Sequence, residues 1–180
     1  MRVVKQYLGS YFIAVLLYLV LVTLLRAWFS IDIISMWIGG VVGVMLPDID
    51  SLIYFYYLKP QELTAQRVRS YLKKFELSKA FELLYTTKNE RPELLFHSIL
   101  FQWMFTIFAF YILSSTNNLF GRGLVVGFLL HLLIDQYLDL KAKGSINNWF
   151  HNFEFTFTTS QARYYIYFMF AVLLFLGLVV

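Results

Sequence analysis

Long uncharged apolar runs dominate this chain, and they dictate the solvent it folds in. Residues 7–25, 33–47, 94–113, 123–138 and 164–180 are apolar almost throughout, and the acidic, basic and histidine residues within them number three: His97, His131 and Asp135. A helix needs roughly 20 apolar residues to cross the hydrocarbon core, and somewhat fewer where its neighbours thin the membrane. With 59% hydrophobic residues, 15 basic and 11 acidic side chains among 180, and a mean hydropathy of +0.64, the chain cannot hide its apolar surface as a soluble domain. The same figures exclude a disordered chain. The expected fold is all-α: a polytopic membrane helix bundle of about five transmembrane helices forming a single membrane domain over residues 1–180. The spans are expected near 7–25, 33–52, 94–113, 123–138 and 164–180. The first follows Arg2 and Lys5 but is too long for a signal-peptide core and lacks a good cleavage site beyond it, so it reads as a retained span.

The basic residues orient this bundle. Five spans put the N-terminus, residues 59–93 and residues 139–163 on one side. That side holds Arg2 and Lys5, eight basic residues from Lys59 to Arg91, then Lys141, Lys143 and Arg163; the other side holds Arg26 and Arg122. Thirteen against two is a strong positive-inside signal, with the N-terminus in the cytoplasm of an inner-membrane, multi-pass protein. The mild basic excess is therefore a topology signal, and no nucleic-acid partner is expected. Membrane lipid is the expected partner; the oligomeric state has no sequence signature. Within the cytoplasmic segment 59–93, residues 61–85 set Val68, Tyr71, Leu72 and Phe75 at helical spacing among Arg67, Arg69, Lys73 and Lys74. That pattern predicts an amphipathic helical segment lying on the anionic inner leaflet, with a lid over a site or a docking surface for a soluble partner as the alternatives.

Against so little charge, the few ionisable groups at membrane depth stand out, because each is costly there unless paired. Asp48 and Asp50 follow Pro47 at the inner end of the second span. His97 lies near the inner end of the third, and His131 and Asp135 in the inner half of the fourth. All five converge on one layer near the cytoplasmic face. His131 and Asp135, four residues apart, share a helix face, and Glu93 stands in the same relation to His97. Two imidazoles and several carboxylates suit a divalent metal (Zn, Mn, Fe or Mg, as one or two ions), with Asp48, Asp50, His97, His131 and Asp135 as metal ligands. There is no cysteine, which excludes disulfides, a thiolate nucleophile and a Cys-ligated zinc. His151, in an aromatic cytoplasmic stretch, is a further histidine near this level, and Asp139 lies one turn beyond Asp135.

Gly39 and Gly43 form a GxxxG, as do Gly123 and Gly127, each a few residues before the polar groups on spans running in the same direction. Such faces let membrane helices approach closely. Packing the second span on the fourth through them would carry Asp48 and Asp50 towards His131 and Asp135.

Leu46-Pro47-Asp48-Ile49-Asp50, then Phe96-His97-Ser98, then His131-Leu132-Leu133-Ile134-Asp135 resemble, in that order, the membrane-bound metal-dependent hydrolase family, whose members are also described as LexA-binding, inner-membrane-associated hydrolases. The resemblance covers residues 36–150. It implies that Asp48, Asp50, His97, His131 and Asp135 hold the metal and that the activity is hydrolysis. The chain departs from the family's pattern at Ser51, where a histidine is common, and at Arg91-Pro92-Glu93, where an HRG is common.

The expected function is an integral membrane metal-dependent hydrolase acting on an ester or phosphoester, of a lipid or another amphiphile, at the cytoplasmic interface. Asp50 or Glu93 would be the catalytic proton acceptor. Ion or proton transport through the His/Asp layer is one alternative, and a non-catalytic, metal-stabilised scaffold is the other. Gly-x-Ser-x-Gly, P-loop and HExxH motifs are lacking, so serine hydrolase, NTPase and zincin chemistry have no support.

Overall fold

The structure is a computed structural model that describes residues 2–27, 29–87 and 94–179. These residues form helices joined by short turns, with no strand among them. In chain order the helices are α1 (Arg2–Leu25), α2 (Ile33–Met45), α3 (Ile49–Ile53), α4 (Leu63–Lys73), α5 (Leu77–Thr86), α6 (Ile99–Ser115), α7 (Leu119–Lys143) and α8 (Thr159–Val179). A 3-10 turn at Leu46–Asp48 links α2 to α3, which runs on into a π turn at Tyr54–Leu58. Three stretches are long and apolar enough to cross a membrane: Ile33–Leu58, Leu119–Lys143 and Thr159–Leu178; α1 and α6 supply shorter apolar stretches, Tyr11–Leu25 and Ile99–Ser115.

The bundle is built around α7. About 72% of its apolar window lies inside, against 39% for the α2 stretch and 33% for α8, so α7 is the axis and the others are its wall. The outer faces of the wall are apolar too: Leu17 and Leu24 on α1, Ile107 and Tyr111 on α6, and Tyr167 and Phe175 on α8 are all exposed. A protein folded for water would not leave such residues outside on every wall helix; in a bilayer they face lipid.

Helix α2 meets α7 backbone to backbone. A Cβ built on Gly39 would collide with the Phe120 carbonyl oxygen, and one on Gly43 with that of Leu124. From the other side, a Cβ on Gly123 would collide with the Met36 carbonyl oxygen and one on Gly127 with that of Gly40. The two GxxxG motifs therefore face each other as their spacing predicts. Gly40 turns instead to α1, where Leu19 would lie 3.0 Å from its Cβ. Where α6, α7 and α8 meet, buried Gln102 and Gln136 exchange amide hydrogen bonds (2.7 and 3.2 Å), and the Tyr165 hydroxyl donates to Gln102 Oε1 at 2.7 Å.

Two elements depart from the sequence expectation. The third span's helix starts at Ile99 rather than Leu94, because Ser98 caps it by accepting from the Phe101 N–H. The amphipathic segment is a pair of helices, broken at Lys74-Phe75-Glu76. Phe75 there adopts a left-handed φ of 57°, which costs a residue with a side chain about 1–2 kcal/mol. Val68 is buried with Ala65 against Tyr54, Phe55 and Leu94, and Leu72 packs on the same cluster, so these faces meet protein rather than lipid.

Candidate metal centre

The site assembles where the inner ends of the α2–α3 junction, the 94–98 segment and α7 meet. Pro47 has no N–H to continue the α2 ladder, and the chain tightens into the 3-10 turn that carries Asp48 and leads into Asp50. On α7, His131 and Asp135 point inward from one face, and both are buried. His97 lies just before the Ser98 cap, in non-helical backbone, and is buried as well.

Asp50 holds that backbone in place. Its Oδ1 accepts the Leu95 N–H at 3.0 Å, while Oδ2 accepts the Phe96 and His97 N–H groups at 2.6 and 3.3 Å and faces His97 Nδ1 at 3.2 Å. Four donors match the roughly four lone-pair sites of a carboxylate. Asp50 thus reaches the site through His97, as an outer partner that fixes the imidazole. Replacing Asp50 with alanine is expected to cost about 3 kcal/mol, since it strands the buried His97 donors and the part-buried N–H groups of Leu95 and Phe96. Thermal unfolding in detergent should register that loss.

Each imidazole has its Nδ1 against an oxygen outside the cluster. His131 Nδ1 lies 2.6 Å from the Val44 carbonyl oxygen, and a carbonyl can only accept, so Nδ1 carries the proton and Nε2 presents its lone pair. His131 Nε2 is buried and has no hydrogen-bond partner. It faces Asp135 Oδ2 at 3.6 Å and Asp48 Oδ1 at 3.9 Å, which are acceptors like itself. His97 Nε2 lies 2.9 Å from the same Asp135 Oδ2. His97 thus lies between two carboxylates, Asp50 on Nδ1 and Asp135 on Nε2, and it offers a lone pair from Nε2 in the tautomer that holds its proton on Nδ1. In that tautomer lone pairs of His97, His131 and Asp135 converge, their ligand atoms within 4.8 Å of one another. A cation answers all three at once, and both histidines already have the outer partner that metal-bound imidazoles use. The cluster could hold a metal ion, and two neutral imidazoles with one carboxylate suit zinc, manganese or iron.

The other predicted residues stand further out. Asp48 is at the rim, its side chain 63% exposed. Glu93, with Arg91 and Pro92, lies outside the described residues. Asp139 accepts from Asn148 Nδ2 (3.0 Å), Trp149 Nε1 (2.9 Å) and Lys143 Nζ (3.0 Å), and so pins a loop whose buried Trp149 packs on His97 with ring centroids 5.4 Å apart. His151 is exposed, its Nδ1 against the Asn148 carbonyl.

One residue of the site escaped the sequence reading. Tyr11, on α1, donates its hydroxyl to Asp135 Oδ1 and stacks its ring on His131 at 4.7 Å and 14°. A tyrosine in an otherwise uncharged span needs a partner for its hydroxyl, and that was the available signal.

The chain matches the family described as YdjM inner membrane protein over residues 7–179. No curated protein and no solved structure matches it.

Proposed function

From the premise that this chain belongs to the YdjM inner membrane protein family, and is an inner-membrane helix bundle, we propose that it is a metal-dependent hydrolase of an ester or phosphoester at the cytoplasmic interface. The observation that carries this reading is the buried, unpartnered Nε2 of His131 facing two carboxylates. His97, His131 and Asp135 would hold one divalent ion, and three protein ligands leave a position for water or substrate, as catalytic sites require. A bound divalent ion supplies Lewis acidity, polarising a carbonyl or phosphoryl oxygen and making water a stronger acid.

The chain's own residues supply the rest. Asp50 and the Val44 carbonyl hold the two imidazoles, and Tyr11 holds Asp135. Asp48, exposed and 3.9 Å from His131 Nε2, is the carboxylate free to take the proton of the attacking water at Oδ1. It returns that proton to the alcohol oxygen as the ester bond breaks. Trp149 covers His97 on the loop side. The site sits at the end of the bundle that the positive-inside rule assigns to the cytoplasm, where a membrane amphiphile would present its head group.

Metal analysis of the detergent-purified chain tests the reading first, after loading with Zn, Mn, Fe or Mg in turn. One tightly held ion per chain is expected. Hydrolysis of lipid phosphoesters and carboxylic esters in vesicles, with and without chelator, tests the chemistry. The proposal fails if none of the four ions is retained, or if no ester is cleaved by the loaded protein.

A further inference from the structure

Helix α5 is apolar on two faces, and the protein covers one. Ala80 is buried, and Leu83 and Leu84 pack on the cluster formed with α4 and the Tyr54–Leu58 turn. On the other face, Leu77 and Phe81, four residues apart, are 52% and 53% exposed. Phe75, just before the helix, is 88% exposed on a backbone conformation that a phenylalanine rarely adopts. The strained turn therefore holds an aromatic ring outside the fold, beside an uncovered apolar pair.

We propose that this face of α5, with Phe75 at its tip, docks on the anionic head-group layer of the membrane beside the bundle. Charge names the occupant. Lys73, Lys74 and Lys79 border the apolar patch, and residues 59–82 carry six basic side chains against three acidic ones. Lys79 pairs with Glu76 at 3.1 Å, which leaves Lys73 and Lys74 beside Phe75 as the basic pair at the tip, and apolar anchors next to such a pair suit a layer of negatively charged lipid over a hydrocarbon interior. Position agrees, because α5 also packs on the membrane helix α1, so the patch starts next to the bilayer. The docking face keeps Phe75 from the one the sequence predicts, but Val68 and Leu72 face the protein, and Leu77 and Phe81 face out. The inference holds whether or not the chain is an enzyme.

The absence of cysteine makes the test direct, since one introduced thiol labels one site. The full chain, as Leu77→Cys carrying an environment-sensitive fluorophore, is reconstituted in vesicles of phosphatidylcholine with rising phosphatidylglycerol. Ser70→Cys, on the exposed polar face of α4, is the control. Expected are a blue-shifted label at position 77, quenched by brominated lipid and shielded from aqueous iodide as the anionic fraction rises, and no such change at position 70. Lys73→Gln and Lys74→Gln should each shift the docking equilibrium about fivefold towards the undocked state. Equal iodide access at both positions in anionic vesicles overturns the proposal. So does oxidative cross-linking of the unlabelled Leu77→Cys between two copies, which would assign the face to a second chain.

Discussion

Replacing His131 with alanine is expected to abolish tight metal binding, while Asp48→Asn is expected to leave the ion in place and remove turnover. The two variants separate holding the ion from moving the proton. In the proposed site His131 would ligate through Nε2, because its Nδ1 is committed to the Val44 carbonyl. Its loss should weaken binding by more than the roughly 10–100-fold that losing an outer partner costs. Asp48 is exposed and stands at the rim, so its amide should scarcely alter binding. Its loss as proton acceptor should lower kcat by about 10²–10⁴-fold. Equilibrium competition with a chelator and initial rates at saturating metal are the two measurements. If Asp48→Asn strips the ion as completely as His131→Ala does, then Asp48 is a ligand and the division of roles proposed above is wrong.

The second large effect concerns one substitution made at two places on one helix. Gly127→Ala should destabilise the protein by about 3 kcal/mol or more, and Gly121→Ala should leave it unchanged or gain a few tenths of a kcal/mol. Both glycines lie in α7 and both would gain one methyl group. At Gly127 that methyl group meets the Gly40 backbone, which cannot turn aside as a side chain could. At Gly121 it meets Asn118 side-chain atoms at 3.8 Å, an ordinary contact. The lost contact between α2 and α7 also carries the Val44 carbonyl and Asp48 away from His131, so Gly127→Ala should lose metal as well as stability. Unfolding in mixed micelles, followed by circular dichroism, gives the stability difference. Equal stability for the two variants would mean that α2 and α7 do not meet at these glycines.

Much of this arrangement is legible in the sequence because its signals are local and periodic. Apolar runs mark the membrane helices. Gly39, Gly43, Gly123 and Gly127 announce the close helix pair, and the four-residue step from His131 to Asp135 places both on one face. What stays hidden depends on contacts between distant segments. Hydropathy cannot separate a helix from an extended strap within one apolar run, so residues 94–98 read as helix although Asp50 and Ser98 hold them otherwise. Asp50 reads as a metal ligand because its three backbone donors lie some 45 residues away along the chain. Tyr11 is separated from Asp135 by more than 120 residues, and no spacing rule reaches that far. The outward face of α5 was obscure for a further reason. A helix with apolar residues on both sides gives no preference for which side turns inward, and only the partners on α4 and the Tyr54–Leu58 turn decide it.

The paired amides of Gln102 and Gln136 bear on how the bundle can deform. Each side chain donates to and accepts from the other, and Tyr165 adds a third point of attachment from α8. A slide of α6 along α7 by even one residue, a rise of about 1.5 Å, breaks both amide bonds together in a medium with no water to replace them. The pair therefore acts as a register pin. Since α7 carries His131 and Asp135, and α6 is the direct continuation of the strap that carries His97, the pin, one residue beyond Asp135 and five beyond His97, fixes the spacing between the two halves of the site.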